Sequence, residues 1–330
     1  MTIHTKLCDL LSIEHPVIQG GMAWVATAEL AAAVSEGGGL GIIGAGRMPT
    51  DVLRKQIRKA KALTDLPVGV NIVLYQHPDR AINDQIVGDL MAVVLEERPD
   101  VLTTGAGNPT VYLPALKDAE IKVGPVVSAV ALAKRVERAG ADFIIVEGLE
   151  AGGHVGELTT MVLVPQVVDA VSVPVVAAGG IGDGRGLAAA LMLGAEGVQV
   201  GTRFMCATET KIHDRVKQRI IKAGDRDTIL TGTSTGHPVR VIKNRLSREF
   251  EELDAKQQAD EIINQGTGKL RLAMEEGDVE MGSLMAGQIA GLVSEITPAA
   301  KIIADIVEQA EKLLSGAPNF LETKIPTAAN

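Results

Sequence analysis

The chain has 330 residues, of which 46% are hydrophobic, 22% charged and 2% aromatic, and its formal net charge is -9. An acidic chain with so few rings is a poor match for nucleic acid, which is gripped by basic grooves and aromatic platforms. No apolar run approaches the ~18 residues of a membrane span, and two distant cysteines, Cys8 and Cys206, outside any CxxC pattern, fit a reducing cytoplasmic compartment.

In chain order, Pro16-Val-Ile-Gln19 reads as a strand ending in Gly20-Gly21-Met22, followed by a helix over 27–35. Leu40-Gly-Ile-Ile43 is the second strand, ending at Gly44-Ala-Gly46, and Thr50 caps a long basic helix to Ala62. Val68-Gly-Val-Asn71-Ile is the third; a helix over 81–97 leads to Val101-Leu-Thr103 and Gly105-Ala-Gly107. A short helix over 110–118 precedes strand 122–127, and a helix over 129–139 precedes strand 143–147. A helix over 160–171 leads to Val173-Pro-Val-Val-Ala177 and Gly179-Gly180. A helix over 184–192 leads to Gly197-Val-Gln-Val200 and Gly201-Thr202, and a last helix spans 213–222.

Short apolar strands spaced by roughly 20–35 residues fit a parallel sheet covered on both faces by helices. Eight such units imply a closed (β/α)8 TIM barrel, with a doubly wound open sheet as the alternative. Past residue 222 the strand–helix alternation stops and charge increases. Residues 1–206 are therefore read as the barrel and 207–297 as a smaller, mainly helical subdomain over its mouth. The amphipathic helix 298–315 completes the barrel, and 316–330 reads as a disordered tail.

Ligands of such barrels bind at the C-terminal ends of the strands, and glycines gather there at 20–21, 44–46, 105–107, 152–153, 179–180 and 201. One cluster would mean a turn; six on one rim favour a ligand approached closely by main chain. The stretch Glu147-Gly-Leu-Glu150-Ala-Gly152-Gly153-His154-Val-Gly156 follows the core strand Phe143-Ile-Ile-Val146. It makes His154 the candidate proton carrier, against a structural, hydrogen-bonded histidine. The loops 179–183 and 199–203 follow strands seven and eight, the usual phosphate site of the fold. Asn71 and Gln199 end strands with amides, which suit a heterocycle.

Other patterns carry less. Gly39-Leu-Gly41-Ile-Ile-Gly44 matches GxGxxG, but its glycines run through a strand, so the dinucleotide fingerprint lacks its context. The six histidines show no HxH or HExxH spacing, so no metal is expected. GxSxG is missing and Cys206 has no neighbouring base, which disfavours a covalent nucleophile. The basic run Arg240 to Arg248 reads as a solvated helix face, or else as an attractor for phosphate or an acidic carrier.

Together these pieces resemble the flavin-dependent enoyl-acyl-carrier-protein reductase II enzymes, within the nitronate monooxygenase-like FMN barrels. The likeness is carried by Gln19-Gly-Gly-Met-Ala-Trp-Val-Ala26, Gly38 to Gly44, Gly69-Val-Asn71-Ile, Thr103 to Pro109, Glu147 to His154, Leu158-Thr-Thr-Met161, Ala177 to Ile181 and Gln199 to Phe204. Two later segments lean toward the reductases: Gly236-His-Pro-Val-Arg240-Val-Ile-Lys-Asn244 and Gly277-Asp-Val-Glu-Met-Gly282-Ser-Leu-Met285-Ala-Gly-Gln288. Pro238 and Met281 depart from the family pattern there, with a bearing on pocket shape and acyl-chain preference.

The resemblance implies FMN, with NADH or NADPH as reductant and room for a monovalent cation. It implies a trans-2-enoyl thioester on acyl carrier protein as substrate, and a homodimer. His154 is then the catalytic histidine. FMN is held by Gly21, Met22, Asn71, Glu147, Gly152, Gly153, Gly179, Gly180, Gln199, Gly201 and Thr202, and the substrate is met by His237, Ser283 and Met285. In a nitronate monooxygenase the same histidine would take a proton from a nitroalkane. A non-catalytic flavin or phosphate binder is the third reading.

Overall fold

The computed structural model describes residues 2–46, 48–75, 77 and 79–316. Strands β1 (Val17–Gln19), β2 (Gly41–Gly44), β3 (Val68–Val73), β4 (Val101–Gly105), β5 (Lys122–Val127), β6 (Ile144–Glu147), β8 (Val175–Ala178) and β9 (Gly197–Val200) are all parallel. The ring closes where Ile18 bridges Leu40, with Gln19 N–H donating to Leu40 O and Leu40 N–H to Val17 O, each at 2.9 Å. The chain is a (β/α)8 TIM barrel.

Residues alternate along each strand. Val17, Ile144, Val146, Val175 and Ala177 face helices, whereas Ile18, Ile42, Ile145 and Val176 fill the barrel with Phe143. Helix α1 (Lys6–Leu11), unread in the sequence, sets Leu7, Cys8 and Leu11 against those interior residues. Leu7 also lies beside Gly197 at the start of β9. The N-terminal end is thereby plugged, and the C-terminal end is left for chemistry.

The outer helices are α2 (Ala28–Glu36), α3 (Thr50–Leu63), α4 (Arg80–Glu97), α5 (Leu113–Asp118), α6 (Val130–Ala139), α7 (Thr160–Val168) and α8 (Gly184–Met192). Pro49, rather than Thr50, is the N-cap of α3, and Asp79 caps α4 by accepting from Ile82 N–H at 3.1 Å. The glycines of the GxGxxG match do lie in and before β2, where Gly41 lets α2 rest directly on the sheet at Ala31.

The expectation that 213–222 is the barrel's eighth helix is corrected. Helix α10 (Asp214–Ile221) packs into the subdomain core through Val216 and Ile220. The place beside α8 and α2 is taken by α14 (Ala299–Gly316), whose Ile302, Ile303, Ile306 and Val307 join the barrel core. Most of the 316–330 stretch read as a tail lies outside the described residues.

The excursion leaves and returns at one point: Ala207 bridges Thr297, and Thr297 N–H donates to Cys206 O at 3.1 Å. Between them lie α11 (Arg245–Ala255), α12 (Ala259–Gly266) and α13 (Lys269–Glu276), as the helical reading expects. The reading of a mainly helical subdomain left its strands unread. The strands β10 (Thr228–Thr231) and β11 (Val239–Ile242) form an antiparallel hairpin, and β11 also pairs with β7 (Gly153–His154) from the barrel loop. That three-stranded sheet ties the subdomain to the loop carrying His154. Among the described residues no helix is long and apolar enough to cross a membrane.

Candidate active site

The cavity sits at the C-terminal rim, between the barrel loops and the subdomain, with a volume of about 280 Å³. All eleven residues assigned to the cofactor line it, and so do His154 and Met285. Ser283 does not; its N–H donates to Lys269 O at 2.9 Å. Nor does His237, whose ring stacks on Tyr75 with centroids 5.7 Å apart.

On one side the main chain is bare. Gly179 and Gly180 have consecutive φ values of +88° and +71°, a left-handed path that glycine follows without strain. A Cβ on Gly179 would lie 2.8 Å from Gly148 O. Among the described residues no acceptor meets the N–H groups of Gly180, Ile181 and Gly182, nor those opening α9 (Thr202–Met205). The Thr202 hydroxyl oxygen accepts from Gly287 N–H at 2.8 Å, which leaves its own proton to donate. Such convergent donors fit a phosphate.

Across the cavity lie the amides. Asn71 Nδ2 donates to Thr103 Oγ1 at 3.0 Å, which fixes its carboxamide under Gly21. Gln199 flanks Gly20. The remaining wall is apolar and methionine-rich: Met22, Met205, Leu270, Met274, Met285 and Ile289. Thioethers and unbranched chains adapt to varied apolar ligands. The set as a whole fits a planar heterocycle bearing a phosphate, with an apolar partner beside it.

Glu147, Glu150 and His154 are the titratable side chains that line this space. Glu147 closes β6, its carboxyl has no hydrogen-bond partner among the described residues, and burial alone pushes it up to about 7. The unfolded chain releases that proton near 4.5 and the folded chain holds it to about 7, so stability falls as pH rises between those values. The full effect above pH 7 is at most about 3 kcal/mol, because cavity water screens part of it. Ligand-free Glu147→Gln is therefore expected to unfold a few degrees above the wild type at pH 8 and together with it at pH 4.5. Thermal melts at both pH values decide this, and a pH-independent offset would refute it.

His154 is set by β7. Val239 lies opposite it in the β7–β11 ladder, and Val155 N–H donates to Pro238 O at 3.2 Å. The ring opens on the cavity yet is flanked by protein; burial, then the nearby His237, lower its pKa below the ordinary imidazole value. The histidine is thus largely neutral at pH 7, and its cation, once formed, is a strong proton donor.

Sequence reasoning missed several supports. The Glu150 carboxylate accepts Thr160 N–H at 2.9 Å and lies 3.0 Å from the Thr160 hydroxyl, while Glu150 O accepts Gln288 N–H at 2.9 Å. Arg240, read within a solvated basic run, is 5% exposed; it donates to Leu149 O at 3.1 Å and staples β11 to the His154 loop. Among the described residues, only Arg245 of this run, with Glu249 at 3.0 Å, forms the expected helix-face pair. Of the two departures from the family pattern, Pro238 is beside His154, whereas Met281 packs with Leu246, Phe250 and Ile262 away from the cavity.

The family model described as nitronate monooxygenase matches residues 4–309. FabK from Thermotoga maritima superposes with a TM-score of 0.91 at 49% identity, covering 97% of this chain and 100% of that one. A probable nitronate monooxygenase of Staphylococcus saprophyticus is 37% identical over 96% of this chain and all of the relative. An octahydro-indene-carboxyl-CoA dehydrogenase of Mycobacterium tuberculosis is 35% identical over 98% of this chain and all of its own length.

Proposed function

Because the chain belongs to the nitronate monooxygenase family, we propose that it is an oxidoreductase of that family specialised as an FMN-dependent enoyl-acyl-carrier-protein reductase driven by NADH or NADPH. One observation carries the choice within the family. The two segments that lean to the reductases, 236–244 and 277–288, are those that cover His154: β11 pairs with β7, and Gly287 and Gln288 bond to Thr202 and Glu150. FabK of Thermotoga maritima, at 49% identity over the whole chain, supports the same reading.

A bound FMN supplies the two-electron chemistry that links NAD(P)H oxidation to reduction of a trans-2-enoyl thioester. The N–H groups of Gly180 to Gly182 and the Thr202 hydroxyl would hold its phosphate, and Asn71, Gln199 and Glu147 would offer polar groups to its ring. His154 holds a proton at a cavity-facing nitrogen and passes it to the α-carbon or to the thioester carbonyl. Met22, Met205, Met274 and Met285 exclude water from the reacting carbons and accept the acyl chain.

The test is an anaerobic titration of the purified yellow protein. Rapid bleaching by NADH or NADPH, then recovery of colour on adding crotonyl-acyl carrier protein, is the expected result. A flavin that ignores both nucleotides and is bleached by an alkyl nitronate would make the chain a nitronate monooxygenase like its staphylococcal relative.

A further inference from the structure

The chain has one tryptophan, two tyrosines and four phenylalanines. Phe143, Phe204 and Phe250 are buried in cores, and Tyr112 packs against the barrel. The Trp24 ring carries the Arg271 guanidinium over it at 5.1 Å. Tyr75 is different: it is 50% exposed, one face covered by the His237 imidazole at an interplanar angle of 27°.

The pair is placed and braced. Tyr75 lies two residues past Val73, which lines the cavity; His237 lies two residues before Val239, the ladder partner of His154. The turn leading to His237 is fixed by Asp254, whose carboxylate accepts Gly232 N–H at 2.7 Å, Ser234 N–H at 2.9 Å and the Ser234 hydroxyl at 2.7 Å. His237 N–H donates to Thr235 Oγ1 at 3.1 Å. An aromatic ring stacked on a braced neighbour and half exposed is pre-organised to stack a flat ligand. A stack whose only task was to fasten the subdomain would not need an exposed face.

Resting on the reductase reading above, we propose that Tyr75, backed by His237, is the stacking platform for the adenine base of the dinucleotide reductant, while the enoyl thioester does not use it. The chemistry of the two substrates makes the division. A dinucleotide carries a second ring system that extends from the cavity to its rim. A pantetheine thioester carries no base at all.

The experiment uses the flavin-loaded full chain under anaerobic stopped flow, with Tyr75→Ala, Tyr75→Phe and His237→Ala beside the wild type. Dissociation constants come from the concentration dependence of bleaching by NADH, NADPH and reduced nicotinamide mononucleotide. Crotonyl-pantetheine reports on the oxidative half. Losing one base stack weakens binding about 10-fold or more. Tyr75→Ala is expected to show that loss for the dinucleotides alone, His237→Ala a smaller loss, and Tyr75→Phe almost none. Equal weakening toward the mononucleotide or crotonyl-pantetheine would make the pair a fastening only and overturn the proposal, as would unchanged dinucleotide binding in Tyr75→Ala. A wild-type flavin that neither NADH nor NADPH bleaches would instead bring down the reductase reading, and this proposal with it.

Discussion

His154→Ala is expected to lower turnover about 100- to 10,000-fold, the range for loss of a positioned proton carrier, while FMN stays bound. On the proposed reductase reading, the expectation separates the two halves of the reaction. Bleaching by NADH or NADPH delivers a hydride and needs no proton from His154. Recovery of colour with an enoyl thioester needs one. Single-turnover measurements should therefore show near-normal reduction and crippled reoxidation. In the wild type the reoxidation rate should fall as pH rises through the His154 pKa, which burial and the neighbouring His237 hold below the ordinary value of 6.5. In the variant that pH dependence should vanish. A variant slowed equally in both halves would make His154 a structural support of the site.

The place of His154 on the cavity wall was legible because its signals are local. A run of apolar residues at 143–146, then three glycines around an imidazole, needs no knowledge of distant partners. The eight barrel strands were legible for the same reason, each a short apolar run and most of them closed by glycine or a polar amide. What was not legible depends on contacts far apart in the chain. β7 is two residues long, and nothing in Gly153 and His154 announces a partner at Val239 and Arg240. The hairpin 228–242 was passed over because its strands, four residues each, carry mixed polar and apolar residues in a charged region. Arg240 looked like one more surface charge until its strand turned it inward. The methionine-rich wall joins Met22, Met205, Met274 and Met285 from four separate segments. An amphipathic pattern shows that Met274 is buried but not what it faces. Helix α14 was legible as an amphipathic helix that completes the barrel, but its neighbours α8 and α2 show only once the excursion 207–297 closes on itself.

Gly152→Ala is expected to strip the protein of FMN, because it pushes apart the two segments that shut the cavity. A methyl group at Gly152 would sit 2.5 Å from the Ala286 carbonyl carbon and 2.6 Å from Gly287 N. These are backbone atoms, so no side chain can swing away, and overpacking of this kind costs about 1–3 kcal/mol. Relief requires segment 285–288 to move as a unit. That movement breaks the bonds from Gly287 N–H to Thr202 Oγ1, at 2.8 Å, and from Gln288 N–H to Glu150 O, at 2.9 Å. Each such bond contributes roughly 1 kcal/mol, and both hold groups at the flavin cavity. Thr202 would lose its fixed orientation, Met285 would leave the wall, and Glu150 would shift under Gly180. Affinity for FMN should drop by at least about 100-fold on adding these losses, with a modest fall in melting temperature. Gly88→Ala is the matched control. It lies within α4 with nothing inside 4 Å of the added methyl, so it should keep full FMN binding and gain about 0.5–1 kcal/mol of stability. FMN fluorescence titration of both variants measures the contrast. A Gly152→Ala protein that binds FMN as tightly as the wild type would show that segment 285–288 is not held against the His154 loop, and the closed cavity described here would have to be redrawn.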